Sequence, residues 1–437
     1  MVKYALIYVA ALLCVALGFV IGHAEIWPYK LVMSIRSEIA YIRSDLTDGV
    51  DRFLVDYEAE DDNRFQTLDS PYFPPEHAPA LTADGAEPGY RLLFGAFDFD
   101  PPAHAALLLD ENNEAVHVWR LNEDAIRQGQ PRKDANKFPH GMEVLPDGSL
   151  LFAYDGGVSL QRFDVCSQPQ WGTPGHFHHS MSLDADGEHI WALLDGIPDA
   201  PDDEKTDQKA KHRFLARLDL ATGEIVKKIS LRDIMDANPG IDILGLHQTD
   251  YDTHFEWQQD SFHENDIEPL SEKMAAAFPD FEAGDLLISM RALDLVFVLD
   301  PDSLKVKWWR MAHTRRQHDA DWQPDGRITV FDNDMHRGPL RIVSFRPEAQ
   351  SLEVLYEGKT HGAKTWFRGR HQLLPGGNLL ITVPQQGRIL EVTPDNEVVF
   401  EFLNQYRAEA GRNLVLSEAR WLPADYFDFK EFPSCKN

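Results

Sequence analysis

The chain has 437 residues, of which 43% are hydrophobic, so it is long enough for a large core and for more than one domain. Its formal net charge of −29 argues against nucleic acid or an anionic lipid surface as the main partner. An anionic ligand would need a local cluster of arginine and histidine side chains to bind against this negative field.

The N-terminus begins with an almost wholly apolar run, Tyr4 to Gly22, whose length of about 19 residues is enough for a single membrane span. A removed signal peptide is the alternative, because Gly22, His23 and Ala24 resemble a small-residue cleavage site. The length favours a retained anchor over residues 1–27. We therefore predict a single-pass inner-membrane protein whose main domain lies on the periplasmic, extracytoplasmic side.

Two segments with different compositions follow the apolar run. Residues 28–55 carry apolar side chains at spacings of mostly three and four, such as Ile35, Ile39 and Ile42, which predicts a juxtamembrane helix or stalk. Homo-oligomerisation through this stalk is one interpretation, and a helix lying on the domain or the bilayer is the other. Residues 56–88 are rich in Asp, Glu and Pro, which predicts a linker.

An internal repeat runs through the rest of the chain. Three segments superpose without gaps, each with a histidine eight residues before a turn glycine: His140 to Gly148, His179 to Gly187 and His318 to Gly326. Three more match in part: His263 to Pro269, Gly369 to Gly377 and Ser417 to Pro423. Each repeat is followed by further strand-like runs, and four strands per unit are typical of a β-propeller.

We therefore predict an all-β fold, a six-bladed β-propeller over residues 89–437, preceded by the transmembrane helix and the short helical stalk. The sixth blade would be completed by N-terminal strands near Arg91 to Phe94 and Ala106 to Asp110, which closes the ring.

The repeat has a chemical consequence, because the first strand of each blade lines the central channel of a propeller. His140, His179, His263 and His318 are therefore expected to form a ring near one mouth. Strand alternation would place His371 on the channel-facing side of its own strand. The alternative for the first two histidines is that they are hydrogen-bonded corner residues that only tie blades together.

Polar residues cluster beside two of these histidines. Asn265 follows His263, and His336 and Arg337 follow the strand after His318. Imidazole beside guanidinium suggests binding and transfer of a small oxyanion, since arginine donates forked hydrogen bonds and neutral histidine can attack or shuttle a proton. A metal site is the alternative, but no HExxH or CxxC spacing supports it. We predict no metal and no cofactor.

Several of these segments resemble the arylsulfotransferase family. The resemblance lies in Gln317 to Asp319 with its Pro-Asp-Gly turn, in Phe331 to Arg337, and in His263 to Ile267, and it covers most of residues 89–425. It implies an exported six-bladed propeller that moves a sulfuryl group from an aryl sulfate donor to a phenol or sugar hydroxyl acceptor, through a sulfohistidine and without a nucleotide.

The resemblance also implies roles for individual residues. By motif, His263, His318 and Arg337 match the sulfate-binding positions of the family. The predicted catalytic residues are His318 and, as the nucleophile, His371, which is chosen over His361 for its position on the inner strand of the next blade rather than by a motif. The predicted substrate-binding residues are His263, Arg337, His336, Asn265, Arg370, His140 and His179.

Two other function classes stay open. One is a non-catalytic membrane-anchored propeller that binds an anionic or glycan ligand or scaffolds an envelope complex. The other is a metal-dependent hydrolase. The pairing of the cysteines also stays open. Cys14 lies in the apolar run, and Cys166 and Cys435 are either a disulfide, as an export compartment allows, or two unpaired thiols.

Overall fold

In the computed structural model, the described residues form six antiparallel sheets of four or five strands and one two-stranded sheet. The structure describes residues 80–100, 102–121, 138–155, 159–195, 213–241, 262–335, 338–365, 368–406 and 412–435. The predicted membrane anchor, the stalk and most of the linker range lie outside these residues. Among the residues that are described, no helix has the length and apolarity needed to cross a bilayer.

The strands are, in chain order, β1 (Ala80–Thr82), β2 (Tyr90–Phe97), β3 (Ala103–Leu109), β4 (Ala115–Arg120), β5 (Phe138–Val144), β6 (Leu150–Asp155), β7 (Ser159–Phe163), β8 (Pro169–Pro174), β9 (His176–Leu183), β10 (His189–Asp195), β11 (Arg213–Asp219), β12 (Ile225–Ser230), β13 (Glu264–Pro269), β14 (Leu286–Met290), β15 (Leu295–Leu299), β16 (Val306–Met311), β17 (His318–Trp322), β18 (Ile328–Asp332), β19 (Arg341–Phe345), β20 (Glu353–Glu357), β21 (Arg370–Leu373), β22 (Leu379–Val383), β23 (Arg388–Val392), β24 (Val398–Leu403), β25 (Gln405–Tyr406), β26 (Arg412–Asn413) and β27 (Leu416–Leu422). The helices are α1 (Leu231–Ala237) and α2 (Glu272–Ala275), with 3₁₀ turns at Arg291–Leu293, Gly358–His361 and Pro384–Gln386.

The sheets are the blades of a propeller, which confirms the predicted six-bladed all-β fold. Blades 1 to 4 are β5–β8, β9–β12, β13–β16 and β17–β20, and blade 5 is β21–β24 with β1 added at its outer edge. Blade 6 takes its inner strand, β27, from the C-terminus and its other strands, β2–β4, from the N-terminus, as the sequence predicts. The added strand β1 lies inside the range predicted as linker.

The core lies between neighbouring blades, because each sheet is apolar on both faces. All five residues of β14 are buried, as are all five of β15. On one face, Leu287 and Val298 of blade 3 belong to the same apolar cluster as Val330 and Trp322 of blade 4. Outer strands such as β16 instead alternate mostly between half-buried and exposed residues, because one of their faces meets water.

A β-bulge recurs near the start of the inner strands, at the repeat position or within two residues of it. The pairing of the inner strand with its neighbour shifts register there in blades 1, 2, 3, 4 and 6. His179 and Asp319 have positive φ angles of 57° and 51° at these bulges. A bulge sets two residues against one, so consecutive side chains of a bulged strand can face the same side.

The inner strands leave backbone groups unpaired toward the channel, and side chains of the neighbouring blade satisfy them. A carboxylate oxygen of Glu418 accepts a hydrogen bond from the Gly141 backbone N–H at 3.0 Å. Asp266 accepts one from Ala320 at 2.9 Å. Acidic residues on inner strands therefore join adjacent blades.

Two contacts secure the closure of the ring. In the first, Arg91 of β2 lies 2.5 Å from Glu391 of β23, and both side chains are almost fully buried (1% and 0% exposed). In the second, Cys166 of blade 1 and Cys435 of the C-terminal tail form a disulfide with their Cα atoms 5.3 Å apart. Of the two alternatives that the sequence leaves open for these cysteines, the structure contains the disulfide.

Candidate active site

A cavity opens at the bulged ends of the inner strands, and every blade contributes to its wall. Its lining residues are His140, His179, Ser180, Asn265, Asp266, His318, Asp319, Gly369, Arg370, Ser417 and Glu418. In five blades the lining includes the residue at the first position of the sequence repeat or the residue that directly follows it. In blades 2, 4 and 6, the bulge explains why both of these residues can reach the same cavity.

The repeat histidines are brought into contact with one another. The rings of His140 and His179 have centroids 4.3 Å apart, and the rings of His179 and His263 have centroids 4.8 Å apart. His263 therefore belongs to the imidazole cluster, although it does not line the cavity itself. Within the described residues, Nδ1 of His140 is buried without a hydrogen-bond partner.

His318 has both of its ring nitrogens engaged. Nδ1 lies 2.6 Å from Oδ1 of Asn333, and Nε2 accepts a hydrogen bond from the Arg368 backbone N–H at 3.0 Å. Since the amide oxygen only accepts, Nδ1 carries the proton and the ring is neutral. An attack by His318 would first require the Arg368 hydrogen bond to break.

His371 lies outside the cavity, and the neighbouring Arg370 lines it instead. The His371 ring is buried, with Nδ1 2.7 Å from Oδ2 of Asp319 and Nε2 2.8 Å from Oγ1 of Thr329. The left-handed backbone of Gly369 (φ 114°) precedes this strand and changes which side chain faces the channel. The role of His371 as the nucleophile stays a prediction.

The imidazoles of His140 and His179 are held in the neutral form. Burial lowers the pKa of His179 well below 6.5, and the adjacent imidazoles of His140 and His263 lower it further. Burial also lowers the pKa of His140, and so does the guanidinium of Arg368. A neutral imidazole keeps a nitrogen lone pair, as a nucleophile or general base requires.

Two arginines near the cluster were not predicted from the sequence. Arg368 acts on the pKa of His140, and after burial the largest cause of the lowered pKa of His318 is Arg291. They place positive charge beside the imidazoles. The repeat pattern gives no signal for either, because Arg291 follows a second strand and Arg368 precedes the repeat register.

An acidic layer lies beside the histidines. Arg370, a predicted substrate-binding residue that lines the cavity, pairs with Asp319 and with Glu418, each at 3.3 Å, and so neutralises two carboxylates. Burial and the Asp319 charge raise the pKa of Asp266 to about 6. Asn265, also a predicted substrate contact, donates its amide N–H to the Gln317 carbonyl at 2.7 Å and lines the cavity.

Asp266→Asn is expected to change the pH dependence of stability. The Asp266 pKa is 3.8 in a model peptide and about 6 in the fold, so the contribution of Asp266 to stability is lost as pH rises from about 4 to about 6. The variant lacks this loss and keeps an oxygen to accept from Ala320. The free energy of unfolding of the variant should exceed that of wild-type protein by on the order of 2 kcal/mol above pH 6 and by little at pH 4. Urea unfolding across pH checks this, and parallel curves for the two proteins would refute it.

Metal binding has poor support in the described residues. Three groups have ligand atoms close enough together for a cation: His178, Asp195 and Glu264; Asp184, Asp186 and His189; Asp319, Asp321 and His371. Each contains carboxylates that are already paired with Arg213, Arg217 or Arg370. A guanidinium in that position disfavours a cation, because the two positive charges repel each other.

Two predicted substrate contacts, His336 and Arg337, lie outside the described residues. Ser180, Asp319 and Glu418 line the cavity but were missed, because plain strand alternation turns the residue after the histidine away from the channel. Only knowledge of the bulge would have identified them.

Comparison with known proteins identifies the family. Residues 141–405, more than half of the chain, match the family model described as Arylsulfotransferase (ASST). No curated protein matches the chain. Similar solved structures include a protein of unknown function from Bacteroides caccae (13% identity, 76% of this chain and 98% of that chain, TM-score 0.47) and virginiamycin B lyase from Staphylococcus aureus (11% identity, 63% and 73%, TM-score 0.37). The family match shows that this chain belongs to the arylsulfotransferase family.

Proposed function

We propose that the protein transfers a sulfuryl group from an aryl sulfate donor to a phenol or sugar hydroxyl acceptor in the central channel. Family membership supports the reaction class. The observation that carries the proposal is the convergence of His140, His179 and His318 from three blades on one cavity, with Arg368 beside them. No cofactor is required, because imidazole is itself a nucleophile.

The reaction has two steps. An imidazole nitrogen attacks sulfur while the bond from sulfur to the aryl oxygen breaks, and the phenolate leaves with the electron pair. The acceptor hydroxyl then attacks sulfur, the nitrogen–sulfur bond breaks, and a base takes the hydroxyl proton. The sulfohistidine between the two steps splits one difficult transfer into two easier ones.

His179 is the imidazole that the contacts favour for the attack. It lines the cavity, and its Nδ1 is engaged by His178. His318 and His371, the two predicted catalytic residues, instead have both ring nitrogens within hydrogen-bonding distance of protein groups. His318 then positions Arg368, whose backbone N–H it binds.

The arginines supply charge for the sulfuryl oxygens. Arg368 and Arg291 lie close enough to the imidazoles to lower their pKa values, so an anion bound at the cluster feels both positive charges. A guanidinium can also donate two parallel hydrogen bonds to a tetrahedral oxyanion. Arg337, by its motif, is a third candidate for this role.

The test is phenol release from a chromogenic aryl sulfate, measured with and without a hydroxyl acceptor. Wild-type protein should show acceptor-dependent turnover. Arg368→Asn, which keeps the left-handed backbone (φ 62°), should lose on the order of 10²-fold in kcat/KM. The exposed Arg346 of blade 4 gives the control, Arg346→Asn, with unchanged turnover.

Absence of turnover across a donor panel would contradict the proposal. If sulfate nevertheless raised the unfolding temperature of wild-type protein and not of Arg368→Asn, the alternative of a non-catalytic anion-binding propeller would be favoured.

We further propose that residues 1–27 anchor the protein in the inner membrane, that residues 28–55 form the stalk, and that the propeller lies outside the cytoplasm. The apolar run supports the anchor, and the disulfide between Cys166 and Cys435 fits an oxidising compartment. Fractionation of cells that express the chain with and without residues 1–27 checks this.

A further inference from the structure

A chain of contacts leads from the surface of blade 2 to the cavity. Oδ1 of Asp195 lies 3.2 Å from Nε2 of His178, and Nδ1 of His178 lies 2.7 Å from Nδ1 of His179. Asp195 is 37% exposed, and His179 lines the cavity. His178 and His179 are consecutive on β9, and their rings meet edge to face because the bulge and the positive φ of His179 turn the second ring beside the first.

The distances determine where the protons lie. A carboxylate only accepts hydrogen bonds, so Nε2 of His178 carries a proton. Two lone pairs or two protons at 2.7 Å would repel, so one proton lies between the two Nδ1 atoms. When His178 is neutral its Nδ1 holds a lone pair, and the proton therefore belongs to Nδ1 of His179. The Nε2 atom of His179 is then left with its lone pair.

We propose that Asp195 and His178 are positioning residues that hold His179 in the tautomer with a nucleophilic Nε2 and that take up its Nδ1 proton during the reaction. This inference rests on the proposed sulfuryl transfer. Attack of Nε2 on sulfur makes the His179 ring cationic. Its Nδ1 proton then passes to His178, which leaves a neutral sulfurylated ring. The proton returns when the acceptor displaces the sulfuryl group.

The charges around His178 favour this direction of proton transfer. Burial acts to lower the pKa of His178, but Asp195 and the fully buried Glu264 outweigh it and raise the pKa. Arg213, which packs on both carboxylates at 3.2 Å, opposes them only in part. The pKa of His179 is lowered, so His178 is the better proton acceptor of the pair.

The same arrangement predicts an acid-sensitive switch. When His178 becomes an imidazolium, its Nδ1 donates to Nδ1 of His179, and the His179 proton moves to Nε2. The lone pair facing the cavity is lost, so activity falls as pH falls through the raised pKa of His178. Asp195→Asn removes a charge that raises this pKa and keeps an oxygen for the hydrogen bond.

The experiment compares wild-type protein with Asp195→Asn in the full chain. The variant should lose on the order of 10-fold to 100-fold in kcat, and the acid limb of its kcat/KM profile should move to lower pH. Asp186→Asn is the matched control, since Asp186 pairs with His189 at 2.8 Å in the same blade and does not line the cavity. An acid limb that stays in place in Asp195→Asn overturns the proposal, whatever the loss in rate.

A second measurement needs no turnover. Diethyl pyrocarbonate modifies a neutral imidazole nitrogen, so peptide mapping of modified His179 against pH reports its lone pair directly. The pH midpoint of His179 modification should be lower in Asp195→Asn than in wild-type protein. An unchanged midpoint overturns the proposed proton transfer between His179 and His178. If the midpoint shifts as expected but the protein transfers no sulfuryl group, the proposed roles of Asp195 and His178 toward His179 hold and the proposed function fails.

Discussion

His179→Asn is expected to lower the rate of sulfuryl transfer by on the order of 10³-fold or more, because the variant lacks the nucleophile. Asparagine is the suitable replacement, since it adopts the left-handed backbone that His179 has (φ 57°) and keeps a polar group beside His178. The loss should therefore be chemical and should leave the unfolding temperature nearly unchanged. Initial rates with a chromogenic aryl sulfate measure the effect.

The covalent intermediate gives the sharper measurement. Wild-type protein exposed briefly to donor without acceptor should carry a sulfuryl adduct, and peptide mapping should place it on His179. His189→Ala, which removes a half-buried histidine of the same blade that does not line the cavity, is the control and should keep both the adduct and the rate. An adduct on His371 in wild-type protein would instead support the nucleophile that the sequence predicts and would exclude His179.

Glu391→Ala is expected to have the largest effect on stability, a loss of about 3–5 kcal/mol, because it leaves the guanidinium of Arg91 buried without its carboxylate. The lost carboxylate also accepts from the Glu87 backbone N–H at 2.6 Å and from the Asn378 amide at 2.8 Å. Arg91 additionally stacks on the Phe400 ring, 4.3 Å from its centroid, so it has little room to turn toward water.

Denaturant unfolding measures this loss, and a solvent-exposed ion pair of the same protein provides the comparison. Lys227 and Asp302 lie 2.6 Å apart between blades 2 and 3, with 33% and 91% of their side chains exposed. Lys227→Ala should cost less than about 1 kcal/mol, because water screens the pair. Equal losses for the two variants would mean that the Arg91 pair does not hold blades 5 and 6 together.

The propeller architecture can be predicted from the sequence, because each repeat is marked by particular residue types at a fixed spacing. A turn glycine eight residues after His140, His179 and His318 indicates equivalent strands, and equivalent strands of a propeller meet at the channel. The closure of blade 6 is also readable, since Ser417 to Pro423 is a repeat without the strands that should follow it.

The cavity wall is less predictable, because bulges and left-handed residues are properties of the backbone geometry. In blade 5, regular alternation gives His371 the channel and turns Arg370 away, whereas in the structure Arg370 lines the cavity directly after the left-handed Gly369. The contacts from Asp195 through His178 to His179 could not be predicted from the sequence either. Asp195 lies 16 residues beyond His179 in the chain, on the neighbouring strand, and only the pairing of β9 with β10 brings it to His178.

The split origin of blade 6 also has a consequence for how the protein is made. Strands β2–β4 are synthesised before the strands of blades 1 to 4, yet the edge that β27 will occupy stays open until β27 itself has been synthesised. A nascent chain therefore exposes an unpaired strand edge for most of its synthesis, and such edges promote aggregation. Truncation before Leu416 should therefore leave five complete blades and a three-stranded sheet with one open edge.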